Sequence, residues 1–439
     1  MNLQGKRAAI VTLGCKVNQY ETDAMYGMLK EAGVTMVDPK EAADIYIVNT
    51  CSVTNMAERK SRQMLHRAKK KNLDVVVVAV GCYAQVGKEE LSKDTNIDLI
   101  IGNNKKKDLI HILEEHMGEK ESAAESIEVI DIAHDQEYES LHVEQLKEHT
   151  RAYIKVQDGC NQFCSYCIIP YARGPVRSRA KDDVVREIKE LAHNGFKEII
   201  LVGIHVASYG VDLGDTTLES LIMDVDKIDG VERIRLSSIE PMTLNQEFID
   251  SIKDSKKLCH HFHISLQSGC DETLKRMNRK YTTAQFKGIV DGLREAFDDV
   301  AITTDIMVGF PDESDEEFNK TVEFVRNIKF ADAHVFQYSQ RRGTPAAKRP
   351  NQILPDVKEK RSKIIIAETQ KTRDEFINRF IGKTMRVLFE QPAKDGLFEG
   401  KTDNYITVHA SSDIDLNDQF RNVLLERNEN GIVIGKIVE

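Results

Sequence analysis

The sequence predicts an α/β fold in three units: an N-terminal parallel-sheet domain of Rossmann or flavodoxin-like type, a central partial (β/α)6 TIM-like barrel, and a small C-terminal antiparallel β-barrel. Three observations carry this. Short β-branched runs alternate with helical stretches as far as Tyr338, the pattern of βαβ units whose parallel strands are buried on both faces. From Thr384 onward the pattern changes to short alternating strands separated by turn residues, which reads as a small antiparallel barrel. At 439 residues the chain is too long for one core and divides into about three domains.

The first domain spans residues 1–118. Its opening run, Ala8 to Leu13, ends in Gly14-Cys15; a second, Asp44 to Thr50, ends in Cys51; a third, Val75 to Val80, ends in Gly81-Cys82; Leu99 to Gly102 starts a fourth unit. Each of three strands thus delivers one cysteine at its carboxyl end, where open α/β sheets place their ligands. Three convergent thiolates suit an iron–sulfur cluster with one iron left open, although free cysteine is also a common buried packing residue. Between the second and third strands, Glu58 to Lys71 carries seven basic residues and one acidic in fourteen. That stretch is either a solvated helix face or a surface for RNA phosphates.

Residues 119–146 read as an acidic linker: the span 119–150 holds ten acidic and two basic side chains, a composition that favours a solvated connector. The central domain follows over 147–375. Arg151 to Val156 is its first strand and runs into Cys160-Asn161-Gln162-Phe163-Cys164-Ser165-Tyr166-Cys167. Three cysteines at C-x3-C-x2-C on one short loop can bind three irons of a 4Fe–4S cube; a structural zinc site needs four closed ligands, and no fourth Cys or His lies nearby in sequence. Further strands are read at Glu198–Gly203, Ile234–Ser237, His261–Leu266, Val300–Gly309 and Ala333–Tyr338. Six βα units fall short of the eight of a closed barrel. Functional residues of such barrels sit at the carboxyl ends of the strands, which here present Gly203, Ser237, Glu240, Gln267 and Asp305.

Residues 376–439, after a long helix from about Pro355 to Phe380, form the small barrel. Barrels of this kind often bind RNA, but with eight basic against ten acidic residues from 379 on a plain packing module explains the tail nearly as well. The chain carries a net charge of −10, which does not mark a nucleic-acid binder. No apolar run reaches the ~18 residues of a membrane span and the N-terminus lacks an apolar signal core, so a cytoplasmic protein is expected. Eight cysteines in that setting point to metal or redox work, not to disulfides; Cys259 and Cys270 belong to neither set and read as buried packing residues.

Taken together, these parts resemble one family over the whole chain, the radical S-adenosylmethionine (SAM) methylthiotransferases. The resemblance rests on Thr12-Leu13-Gly14-Cys15-Lys16-Val17-Asn18-Gln19-Tyr20-Glu21, on Asn49-Thr50-Cys51-Ser52-Val53-Thr54, and on Gly159 to Gly174 around the three-cysteine loop. It implies an N-terminal methylthiotransferase domain, a radical SAM domain and a C-terminal TRAM domain. It also implies two 4Fe–4S clusters, an auxiliary one on Cys15, Cys51 and Cys82 and a radical SAM cluster on Cys160, Cys164 and Cys167. Tyr166, Gly203, Ser237, Glu240, Gln267 and Asp305 become candidate SAM contacts, and Arg59, Lys60, Arg62 and Arg173 candidate RNA contacts. The nearest branch adds a methylthio group to C2 of N6-threonylcarbamoyladenosine beside the tRNA anticodon; sister branches act on N6-isopentenyladenosine or on a ribosomal protein. The implied partners are a tRNA anticodon stem-loop, a sulfur source and an electron donor such as flavodoxin or ferredoxin, and no membrane.

Overall fold

The computed structural model describes residues 3–118, 126–143 and 150–438. The N-terminal sheet contains β1 (Arg7–Thr12), β2 (Thr35–Met36), β3 (Ile45–Thr50), β4 (Val76–Gly81), β5 (Leu99–Ile101) and β6 (Ser126–Glu128) in the order β2-β1-β3-β4-β5-β6. Every pairing is parallel. Alternate residues feed two separate cores: Ala8, Ile45, Ile47, Val78 and Val80 pack under helix Lys16–Glu31, and Ala9, Tyr46, Val48, Val77 and Ala79 pack under helix Asn55–Lys71. Burial on both faces is what the continuous apolar runs predicted. The two edge strands β2 and β6 are too short to show a pattern in sequence.

The reading of 119–146 as a solvated connector fails over the part described. Ser126–Glu128 pairs with β5, Leu141 and Val143 pack against Tyr20 and Ala24, and Glu139 is 1% exposed. Its carboxylate accepts from the backbone amides of Lys106 and Lys107 and from the Lys106 ammonium at 3.3 Å. Acidic composition suggested solvation, whereas this carboxylate is the counter-charge of a buried lysine. The rest of that span, 119–125 and 144–146, lies outside the described residues.

The central domain comprises β7 (Arg151–Asp158), β8 (Arg177–Ser178), β9 (Glu198–Gly203), β10 (Arg233–Leu236), β11 (His261–Gln267), β12 (Ala301–Val308) and β13 (Asp332–Gln337). Two sheets, β10-β9-β7-β8 and β11-β12-β13, are stitched by single parallel bridges at Ile234↔Leu258 and Ile239↔Ile264. The result is six parallel strands of an open barrel, with β8 added antiparallel to β7 beside the cysteine loop. Residues such as Ile199, Leu201, Phe262, Ile264, Ile302 and Ile306 face the helices and form the main core. Their neighbours face the lumen, where Tyr153, Ile200 and Val202 receive Val17 of the first domain.

The C-terminal barrel closes as β14 (Thr384–Pro392), β15 (Leu397–Lys401), β16 (Thr407–Ser411), β18 (Ile432–Val438) and β17 (Phe420–Glu429). Four of its pairings are antiparallel, and β16 with β18 is parallel. It docks at the amino ends of the central strands: Arg233 donates to the carbonyls of Lys401 and Arg386, Arg235 donates to the carbonyl of Asp403, and Tyr405 stacks on His261 with centroids 4.5 Å apart. The carboxyl ends of the strands are left for the site.

Candidate active site

In the first domain, strand register does the assembly. Thr50 pairs with Gly81 and Thr12 with Asn49, so Cys51 and Cys82 are the next residues on neighbouring strands and Cys15 lies two beyond Leu13. Adjacent strands are about 4.8 Å apart, which brings residues from distant parts of the chain to one edge. Buried asparagines brace these ends: Asn18 donates to the carbonyls of Leu13 and Thr50, and Asn49 donates to that of Asn18. Gly81 precedes Cys82 with φ +91°, and a Cβ there would stand 2.5 Å from the Asn49 side-chain oxygen.

The second set is made by one loop folded on itself. Gly159 has φ +74° and an added Cβ would lie 1.7 Å from the Pro175 carbonyl oxygen, so only glycine lets the loop double back, where the Cys160 amide donates to the Gly174 carbonyl. Phe163 takes the left-handed conformation at φ +46°. The segment Arg276–Arg279 pins the loop from outside: Ser165 binds the carbonyls of Met277 and Arg276, and Asn278 donates to that of Phe163.

Both sets share an electrostatic design. Burial pushes the thiols of Cys51 and Cys160 up to about 11 and that of Cys167 up to about 12, and within each set neighbouring thiols oppose one another's ionisation. Metal ligation requires thiolates, so a bound cationic centre is what would hold these groups ionised at neutral pH. One guanidinium addresses each set: Arg173 Nε donates to Cys82 Sγ at 3.2 Å and Arg279 Nη1 donates to Cys164 Sγ at 3.3 Å. Hydrogen bonds to ligand sulfurs tune iron–sulfur sites, and this donor set of three sulfurs with a guanidinium beside them fits such a group in each place.

Arg173 corrects the sequence reading. As a candidate RNA contact it needs a surface, but it is 0% exposed and joins the two domains. It donates to Glu21, Asp158 and Asn18 as well as to Cys82. Lys155 bonds Glu21 at 2.9 Å and Asp158 at 2.6 Å, and Lys106 lies 3.5 Å from Glu21. Burial alone would raise the Glu21 carboxyl, yet Arg173, Lys106 and Lys155 together hold it down to about 2. The other candidate RNA residues divide: Arg59 and Lys60 are exposed, whereas Arg62 is engaged with the Tyr83 hydroxyl and Glu90.

The candidate SAM contacts divide as well. Tyr166 lies half-buried against Phe310, with centroids 6.4 Å apart. Glu240 accepts from Arg279 at 2.6 Å, and burial raises its pKa against that partner. Glu240 is thus tied to the loop through Arg279, which also donates to Cys164. Ser237 directly follows β10, and among the described residues its buried hydroxyl and the buried Nε2 of His205 have no hydrogen-bond partner; both are polar atoms left for a ligand. Gln267 ends β11 in the left-handed conformation, φ +65°. Gly203 is small for a different reason than ligand approach: a Cβ there would stand 2.8 Å from the Gln157 side-chain oxygen, which accepts from the His205 amide. Asp305 faces the lumen, and its carboxylate meets His263 at 3.2 Å and His334 at 3.5 Å. Cys259 and Cys270 are buried, and the Cys270 thiol donates to Glu272.

The residues sequence reasoning missed are Arg279, Glu21, Asp158, Lys155, Asn18 and Gln157. Asp158 and Gln157 abut the loop motif and were within reach of a local reading; Arg279 carries no spacing signal.

Comparison with known proteins bears on this geometry. Residues 154–325 match the Radical SAM superfamily and residues 7–102 match the Uncharacterized protein family UPF0004. The threonylcarbamoyladenosine tRNA methylthiotransferase MtaB of Bacillus subtilis is 39% identical over 91% of this chain and 89% of its own length. That of Aquifex aeolicus is 39% identical over 92% and 96%. The tRNA-2-methylthio-N(6)-dimethylallyladenosine synthase of Acetivibrio thermocellus is 36% identical over 97% and 90%. Among solved structures, the radical SAM methyltransferase TsrM of Kitasatospora setae superposes with a TM-score of 0.60 at 15% identity, covering 78% of this chain and 77% of that one; that likeness concerns the fold alone.

Proposed function

This chain belongs to the radical SAM methylthiotransferases, and from that premise we propose that it transfers a methylthio group to C2 of N6-threonylcarbamoyladenosine at position 37 of tRNA, beside the anticodon. The observation that carries the reading is the pair of three-cysteine sets, each with one guanidinium on a sulfur, tied together through Arg173. Two jobs call for two sites: the C2–H of adenine has no useful acidity, so the carbon must be activated by a radical, and the sulfur must be held and delivered separately.

When bound, a 4Fe–4S cluster on three thiolates supplies one-electron chemistry and an open iron. Cys160, Cys164 and Cys167 would hold the cluster that works with SAM, and Cys15, Cys51 and Cys82 the one that carries sulfur; a second SAM supplies the methyl group. The protein's own part is orientation. Arg279 fixes Glu240 beside the loop, Ser237 and His205 offer unpaired polar atoms to SAM, and Arg173 keeps the first domain seated at the barrel. Exposed Arg59 and Lys60 offer phosphate contacts, and the exposed Phe163 ring on the cysteine loop offers a stacking contact, both suited to an RNA loop. The electron donor, of flavodoxin or ferredoxin type, and the sulfur source are external. Among the described residues no helix is long and apolar enough to cross a membrane.

Nucleoside mass spectrometry of tRNA from a deletion strain tests the assignment. Loss of the methylthiolated threonylcarbamoyl nucleoside is expected; selective loss of the dimethylallyl product would transfer the chain to the other reaction named among its relatives.

A further inference from the structure

Two imidazoles and a carboxylate meet on the lumen face of the barrel, and neither cysteine set uses them. His263 on β11, Asp305 on β12 and His334 on β13 come from three adjacent parallel strands. Register brings them together: His263 pairs with Thr303, and Asp305 pairs with His334. Side chains two apart on a strand share a face, so Thr303 and Asp305 stand on the lumen side while Ile302 and Ile306 enter the core. His263 and His334 flank Asp305, with their ring centroids 5.6 Å apart.

The distances are those of ligands around one ion. Asp305 Oδ1 lies 3.2 Å from His263 Nε2 and 3.5 Å from His334 Nδ1. One donor atom from each of the three residues lies within 4.8 Å of the other two. Donors held at about 2.1 Å on a common divalent ion sit roughly 3.0 Å apart at octahedral corners and roughly 3.4 Å apart at tetrahedral ones.

The support behind the ligands is also in place. Thr303 is buried, and its hydroxyl lies 3.0 Å from His263 Nδ1 and 2.9 Å from His261 Nε2. His261 is itself buried and stacked on Tyr405. When His263 Nδ1–H donates to the Thr303 hydroxyl, and that hydroxyl donates to His261, the Nε2 lone pair of His263 is left free beside Asp305. Metal-binding histidines are held in this way, by a hydrogen bond from the far ring nitrogen. His334 completes the set from the open side: its side chain is 73% exposed, against 12% for His263 and 20% for Asp305. An ion there keeps coordination positions that face water.

We propose that His263, Asp305 and His334 form a divalent-metal site of the two-histidine, one-carboxylate class, suited to Fe2+ or Mn2+ with positions left open to oxygen ligands. Its donors differ in chemistry from the thiolate sets, and it does not depend on the substrate assigned above. It gives Asp305 a different duty from the SAM contact expected of it in sequence.

The test titrates the iron-reconstituted full chain, cleared of loose metal, with Mn2+ alone. Thiolates do not favour this ion, and its aqueous electron paramagnetic resonance signal is lost on binding. About one Mn2+ per chain is expected, with imidazole nitrogen couplings in the pulsed spectrum of the bound ion. Asp305→Asn and His334→Gln should each weaken uptake by more than about 10-fold, and Thr303→Val by about 10-fold. His334→Gln replaces an exposed side chain, so it keeps the test decisive should Asp305→Asn fail to fold. Absence of Mn2+ uptake by the wild type overturns the proposal, as does an affinity in His334→Gln within about 3-fold of wild type. Bound Mn2+ without nitrogen couplings places the ion on surface carboxylates and overturns it equally.

Discussion

The two three-cysteine sets reach the same donor count by opposite routes. Cys160, Cys164 and Cys167 sit on one loop whose shape depends on local features, Gly159 and the turn that closes from Cys167 to Cys164. Cys15, Cys51 and Cys82 come from three strands and meet only because parallel register aligns Thr50 with Gly81 and Thr12 with Asn49. A loop site costs little beyond its own ordering; a strand-end site exists only when a whole sheet has formed. The guanidiniums follow suit. Arg279 is held by Glu240 and Tyr281 within its own domain, whereas Arg173 crosses a domain boundary and is locked by Glu21 and Asp158.

The largest expected effect comes from the loop. Cys164→Ala should abolish both 5′-deoxyadenosine formation and methylthiolation, measured anaerobically with SAM and reductant. Cys51→Ala separates the sets: methylthiolation is lost while SAM cleavage stays within about 3-fold of wild type, since no ligand on the loop is touched. If both activities vanish in a folded Cys51→Ala protein, separate duties for the two sets become untenable.

Arg173→Met strips a buried guanidinium from two carboxylates and should cost roughly 3–5 kcal/mol, read as a fall in the urea midpoint, with iron lost first from the strand-end set. The pH dependence tests the same joint more gently. Glu21 has its folded pKa, about 2, below its ordinary value of 4.5, so its contribution is fully present above pH ~4.5 and is lost as pH falls toward 2. The pKa difference corresponds to about 3 kcal/mol at most. Glu21→Gln should flatten that acid limb of stability, and an unaltered limb would place the acid sensitivity elsewhere. The smallest effect belongs to the surface: Arg59→Ala with Lys60→Ala should weaken tRNA binding a few-fold and reduce the slope of log affinity against log salt by about 2. The same substitution leaves stability within about 0.5 kcal/mol.

These contrasts also explain what could be read in advance. Alternation of apolar runs with helices is local, and it revealed the parallel sheet, the six-strand barrel and the terminal barrel. Two or three residues per edge strand are too few to leave a period, so β2 and β6 escaped it. Acidic composition misjudged residues 126–143 because composition does not say which carboxylate faces a buried lysine. Arg173 looked like an RNA contact because a lone arginine after a loop resembles any exposed one; its burial follows from Glu21, 152 residues away.

The family was legible in the chain alone, from the C-x3-C-x2-C spacing and from one cysteine after each of three strand runs. Spacing along a chain is enough when the ligands share a loop or a repeated strand-end position, because covalent geometry and backbone periodicity carry the information. What surrounds the sulfurs came from tertiary packing: Arg173 on Cys82, Arg279 on Cys164, and the Glu21 and Asp158 carboxylates that lock Arg173. Those neighbours come from elements that packing alone brings together, so no local pattern records them.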